Sequence, residues 1–345
     1  MKVGGQRSEP LKGGGQRSEP RSEPLKGGGI WREGSDTCIY KPAVQCANEP
    51  DHDLTGFISR ILPSSEKTDV SVENIIKKFF PDLVEHRWVS VHKEVCTPRY
   101  KAKDVQSPAI QLNVNAGCSR VPQRYPGVNP HHQNLIAPEF GPSFLSDHPT
   151  AIPLRQCIGE LQTAIITAVE LVPDKGPWII NTDLHANNLL RFVDRKGRHR
   201  YALHDWGRTI VIKDPNNLNS IKNALQHAQE KYLLMLYGNF RSQSHPAFLN
   251  LINHILRCST IEQASPFLRI LRCWTIFSLL YLIQVYTSGK DNVQLSFLVN
   301  NREYAAQLNP LHTAPTLEDG VHQIMRSWGI QEDIMNVSPS SSGKI

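Results

Sequence analysis

Ile179-Ile180-Asn181-Thr182-Asp183-Leu184-His185-Ala186-Asn187-Asn188-Leu189-Leu190, together with the later Leu203-His204-Asp205-Trp206-Gly207, decides how this chain is read. An apolar approach delivers Asp183, Asn188 follows in the same loop, and two short apolar runs lead to an Asp-aromatic-Gly. The runs Leu189 to Val193 and Tyr201 to Leu203 are predicted strands. Asp194-Arg195-Lys196-Gly197-Arg198 between them is a predicted turn, with Gly197 for the left-handed position. Such a hairpin would carry Asn188 back towards Asp205, so that three oxygen-bearing side chains face one cleft. Phosphoryl transfer uses a set of this kind. One carboxylate orients the acceptor hydroxyl, while an amide oxygen and a second carboxylate hold Mg²⁺.

In order and spacing these residues resemble the catalytic loop and metal-binding Asp-aromatic-Gly of the protein-kinase-like superfamily. His185 stands where protein kinases usually carry Lys, a form common in aminoglycoside-phosphotransferase-like and viral kinases. The resemblance implies an α+β, bilobal fold, with a β-rich N-lobe over residues 30–117 and a mainly helical C-lobe over 118–330. It also implies ATP as phosphoryl donor, Asp183 as catalytic residue, and Asn188 and Asp205 as Mg²⁺ ligands. An acceptor hydroxyl on a protein substrate is the expected partner. A motif of this kind marks a site rather than turnover.

Nearer the N-terminus, Gly34-Ser35-Asp36-Thr37-Cys38-Ile39-Tyr40-Lys41-Pro42-Ala43-Val44-Gln45-Cys46 reads as a turn and a strand. It resembles the nucleotide-loop region of serine/threonine protein kinases from large cytoplasmic DNA viruses. The resemblance makes Gly34 a nucleotide-loop residue, and Thr37 stands where that family has a third loop Gly, which restricts the backbone. In Gly56-Phe57-Ile58-Ser59-Arg60-Ile61-Leu62, Arg60 occupies the place of the family's phosphate-binding Lys. The forked guanidinium keeps the charge and changes the geometry. Lys41 and Lys67 lie outside the expected place. A helix over Ser71 to Phe80 has Val72, Ile75, Ile76 and Phe79 as its apolar face, with Glu73 as candidate ion-pair partner or simply a solvated helix charge.

The remaining pattern is that of a loop-rich soluble chain. Across 345 residues, 39% hydrophobic and 20% charged content allow a sizeable core, and 24 Pro with 22 Gly indicate many loops. Residues 1–29 repeat Gly-Gly-Gln-Arg-Ser-Glu-Pro with little apolar to bury and are expected to be a disordered tail, as are residues 331–345. Half of the net charge of +6 belongs to the first tail, which leaves too little to indicate nucleic acid. Seven Cys without a Cys-x-x-Cys pair predict reduced thiols rather than a disulfide framework or a zinc site. No apolar leader is visible, so the expected location is cytoplasmic, in host cytoplasm or virion if the chain is viral.

Trp88 to Cys96 alternates partly like a strand, and Ala109 to Gly117 fits a strand leading to an inter-lobe hinge, with Asn113 to Asn115 near an adenine edge. Cys118 to His148 reads as a long Pro-, Gly-, Asn- and His-rich loop. Ile158 to Leu171 is the predicted core helix. Leu218 to Leu236, Ala247 to Leu256, Phe267 to Tyr286 and Leu317 to Trp328 are further predicted helices. The apolar run Cys273 to Val285 is too short for a good membrane span and is expected to be buried. Asn181 replaces the superfamily's usual His and is expected to remove a strut beneath the loop. No Ala-Pro-Glu follows Gly207. A pseudokinase and a non-nucleotide interaction scaffold are the alternatives.

Overall fold

The structure, a computed structural model, describes residues 29–33, 38–47, 49–63, 68–98, 132–236, 245–288 and 309–327. These form a mixed α+β fold with small sheets. The N-terminal sheet holds β1 (Gly29–Glu33), β2 (Cys38–Lys41), β3 (Phe57–Pro63), β4 (Glu94–Cys96) and β5 (His132–Pro138). Its order is β1-β2-β3-β5-β4, with every pair antiparallel. Arg60 sits mid-strand in β3, opposite Ile39 on one side and Leu135 on the other.

The helix expected over Ser71 to Phe80 is α1 (Thr68–Phe79), and α2 (Pro81–Glu85) follows it. Val72 and Ile76 of α1 enter the main core with Trp88, Val89 and Val91, whereas Phe79 is half exposed. Segment 88–92 is mostly not a strand, contrary to the expectation for Trp88 to Cys96. Its backbone leaves the sheet to grip the second half of the chain. Ser90 N–H donates to Leu203 C=O at 2.8 Å, and Leu203 N–H donates to Trp88 C=O at 3.1 Å.

Two further expectations need correction. The segment 118–148, read as loop, contains β5 and the short α3 (Phe144–Asp147). The apolar Leu135-Ile136-Ala137 was outweighed by the Pro- and His-rich residues around it. The N-terminal sheet therefore runs on to Pro138, past the boundary drawn at Gly117, and the strand expected at Ala109 to Gly117 lies outside the described residues. Second, the cysteines are not all thiols, because Cys46 and Cys96 form a disulfide across a sequence separation of 50. Sequence spacing concealed a pairing that the strand order creates.

Beyond the sheet, α4 (Leu154–Glu170) is the core helix, and Leu161, Ala164 and Ile165 on it are wholly buried. β6 (Trp178–Asn181) leads from it to the loop, and a 3-10 turn (Ala186–Asn188) leads into the hairpin of β7 (Leu189–Val193) and β8 (His199–Leu203). The turn is as predicted: Gly197 has φ 73°, and Asp194 Oδ1 accepts the Lys196 and Arg198 N–H bonds, each 2.9 Å. β9 (Thr209–Ile212) then pairs antiparallel with β6, with Asn181 opposite Thr209.

α5 (Leu218–Leu236) and α6 (His245–Arg257) pack a second core around Ile180, Ile210 and Ile252. The single helix expected over Phe267 to Tyr286 is two, α7 (Ile261–Arg272) and α8 (Trp274–Ser288), parted at Cys273. The break lets Leu268 and Leu271 serve the second core while Ile276, Leu279 and Ile283 serve the first. Among the described residues Ile261–Thr287 is long and apolar enough to cross a membrane by length and composition, and 61% of that apolar window is buried in the protein.

α9 (Pro310–Thr313) and α10 (Leu317–Ser327) close the core with Leu311, Val321, Ile324 and Met325. Gly320 lets them touch. A Cβ there would lie 2.6 Å from Pro310 O and 2.9 Å from Leu311 Cα. Gly→Ala inside a helix ordinarily gains about 1 kcal/mol, but overpacking against backbone costs about 1–3 kcal/mol. Gly320→Ala should therefore lower the urea midpoint at unchanged m-value. A higher midpoint would mean that the two helices part without cost.

Candidate active site

The loop after β6 is held by Asn181, whose side chain is fully buried. Its Oδ1 accepts the Asp183 N–H at 2.9 Å, and its Nδ2 donates to Asp205 C=O at 3.1 Å. Its backbone N–H donates to Thr275 Oγ1 at 3.1 Å, and the same hydroxyl donates back to Asn181 C=O at 3.3 Å. Asn181 thus supplies the strut that its substitution for His was expected to remove. An amide has both a donor and an acceptor, so one short side chain can bind both segments.

Asp183, Asn188 and Asp205 come together as the order of the motifs predicts. Asn188 is buried and donates Nδ2–H to Asp183 C=O at 2.8 Å, which commits the amide nitrogen and leaves Oδ1 as the atom that could hold a cation. The His204 N–H donates to Asn188 C=O at 2.9 Å and closes the hairpin beside the Asp-Trp-Gly. Asp205 has φ 62°, a left-handed conformation that Asp tolerates better than most residues. Its Oδ1 accepts the Gly207 N–H at 3.2 Å. Trp206 is buried and donates Nε1–H to Ser90 C=O at 2.8 Å, locking the turn to segment 88–92.

The charges around the two carboxylates differ. Burial opposes ionisation of Asp205, but His204, Arg60 and the Gly207 N–H outweigh it and hold its carboxyl below the usual range. Burial drives the His204 imidazole down to about 4 despite the pull of Asp205, so Arg60 is the lasting cation there. Asp183 goes the other way. Burial and the neighbouring Asp205 push it up, against the opposing charges of Arg208 and His185. Arg208 Nη1 donates to Asp183 Oδ1 at 3.1 Å.

Arg60, in the middle of β3, acts electrostatically on both Asp205 and His204. Glu73 is neither a solvated helix charge nor known to the sequence by its true neighbour. It is 3% exposed and its Oε2 accepts both the backbone N–H of His92, at 2.9 Å, and its ring Nδ1. Glu73 and His92 both act electrostatically on His204, so a buried line of polar groups runs from α1 to Asp205. Lys41 is ion-paired to Glu139 beyond β5. Gly34, Thr37 and Lys67 lie outside the described residues.

Arg208, His204 and His92 escaped sequence reading. The signal for Arg208 was the β-branched run Thr209-Ile210-Val211-Ile212. Read as a strand pairing with β6, it sets Arg208 beside the loop, where its C=O accepts the Thr182 N–H at 3.0 Å. His92 and His204 gave no pattern, because their partners are remote in sequence. Comparison with family models and with curated proteins finds no match to this chain.

Asn181→Ala removes two buried hydrogen bonds and strands the Asp183 N–H and the Asp205 C=O. The expected loss is about 1–3 kcal/mol, read as a lower urea midpoint. An unchanged midpoint would show that the loop and the Asp205 turn hold their places without the strut.

Proposed function

We propose that this cleft is the active site of an ATP-dependent phosphotransferase with a bilobal, protein-kinase-like fold, acting on Ser or Thr hydroxyls of a protein substrate. The observation that carries this reading is the single buried clamp: Asn181 binds the Asp183 and Asp205 segments, with Asn188 bonded between them. In this reading the N-terminal sheet is the N-lobe and the helical half is the C-lobe.

The donor set fits a hard cation. Asp205 is held ionised, and Asn188 presents an amide oxygen, both oxygen ligands of the kind Mg²⁺ takes. Bound Mg²⁺ would neutralise charge on the phosphate oxygens of ATP. Asp183 is the group that orients the acceptor hydroxyl and takes its proton, and burial raises its proton affinity towards that task. Arg60 supplies the positive charge over the phosphates from the sheet side, and His92 and Glu73 stiffen the path behind it. Gly34 belongs to the nucleotide loop.

One observation favours a second reading, a pseudokinase that binds nucleotide without turnover. Arg208 occupies the Asp183 carboxylate, so acceptor binding has to displace or share that ion pair. The test is ATP turnover on a generic protein substrate for wild type, Arg60→Lys and Asp205→Asn. The enzyme reading expects turnover in wild type, more in Arg60→Lys, where a slim ammonium enters between phosphates. It expects a loss of about a hundredfold or more in Asp205→Asn. Turnover that survives Asp205→Asn contradicts the metal assignment. Nucleotide binding with no turnover in wild type or Arg60→Lys selects the pseudokinase.

A further inference from the structure

A second concentration of ligand chemistry lies at the edge of the N-terminal sheet, away from Asp183 and Asp205. Cys96 ends β4, and Cys46 reaches it by a bridge to Pro98 and by the 2.8 Å bond from the Ala47 N–H to Thr97 C=O. Glu94, two residues before Cys96, is on the same side of the strand. Ligand atoms of Cys46, Glu94 and Cys96 all lie within 4.8 Å of one another. Cys46 is buried and the other two are half-buried. The loop that follows Cys46 brings Glu49 and His52 close enough to act electrostatically on the Glu94 carboxyl. His52 Nε2 stands 3.7 Å from Glu49 Oε2.

Two further contacts reach these sulfurs. Cys46 Sγ and Glu94 Oε1 are 2.9 Å apart, so a carboxylate oxygen stands against the sulfur. Asn134, wholly buried, directs Nδ2–H at Cys96 Sγ from 3.7 Å, a dipole suited to a thiolate. Its Oδ1 has no partner among the described residues.

We propose that the reduced protein binds one zinc-class divalent cation here, through Cys46 Sγ, Cys96 Sγ and a Glu94 carboxylate oxygen, with the fourth position left to water. Two sulfurs and a carboxylate, with water completing a four-coordinate set, suit Zn²⁺, whereas Mg²⁺ and Ca²⁺ take oxygen ligands. A dithiol reductant opens the S–S bond and is itself oxidised to a disulfide, leaving a proton on each cysteine sulfur. The cation then displaces both thiol protons. Either state ties the β2–β3 loop to the edge strand, so the sheet keeps one cross-link whether the protein is oxidised or reduced.

The test uses the full-length chain reduced with a dithiol that is then removed under argon. Co²⁺ should give sulfur-to-metal charge-transfer bands and tetrahedral d–d bands at one equivalent, and Zn²⁺ should bleach them. In the wild type, Zn²⁺ should shield Cys46 and Cys96 from iodoacetamide while half-buried Cys258 is alkylated with or without metal. Burial pushes Cys157 and Cys273 up to about 12, so they are slow in both arms. Glu94→Gln should weaken Zn²⁺ by about tenfold or more, and Cys46→Ser should abolish the cobalt bands. No bands, no shielding, full affinity in Glu94→Gln, or bands that persist in Cys46→Ser would each overturn the site.

Discussion

The candidate active site depends on one buried amide. Asn181 is the last residue of β6, and its side chain fixes the backbone of Asp183 on one side and of Asp205 on the other. The two aspartates sit on separate segments, and like charges in a cleft drive such segments apart unless the backbone opposes it. Two amide hydrogen bonds, each worth about 1 kcal/mol net and costlier to leave unmade, supply that opposition. Thr275, at the start of α8, anchors Asn181 in turn, so the core helices determine where the carboxylates stand.

The same turn is held from the opposite side. Trp206 fills the core and reaches Ser90 C=O, while segment 88–92 is bonded to the end of β8. Residue 92 of that segment carries the imidazole that Glu73 receives. The N-terminal sheet and helix α1 are therefore joined to Asp205 by a continuous set of buried contacts. Arg60 acts on Asp205 electrostatically from the sheet. The left-handed backbone of Asp205 is tolerable because both its neighbours are pinned.

The hairpin, its turn, α1, α4 and the meeting of Asp183, Asn188 and Asp205 were legible because they rest on local chemistry. Gly197 and Asp194 specify the turn, and apolar spacing specifies the helices. What escaped reading is non-local. Asn181 looked like a loss because its two partners are on different segments, and Arg208 was hidden until β9 was seen to pair with β6. Cys46 and Cys96 meet through strand order, which neither flanking sequence records. β5 was masked by Pro and His residues, although its Asn134-Leu135-Ile136 centre is fully buried. In each case the missing information was which strand lies next to which.

The account stands or falls on whether Asp205 and Asn188 share a metal with a nucleotide. The most direct measurement is a thermal-shift titration of the full chain with ATP, with and without Mg²⁺, in wild type beside Asn188→Leu. Binding to the folded state raises the melting temperature, because the stabilisation grows as RT ln(1 + [L]/Kd). The account predicts a rise that grows with the logarithm of ATP concentration in the presence of Mg²⁺ in wild type, a smaller one with ATP alone, and no Mg²⁺-dependent gain in Asn188→Leu. A wild-type melting temperature indifferent to ATP and Mg²⁺ together, or a gain that Asn188→Leu keeps in full, would contradict it.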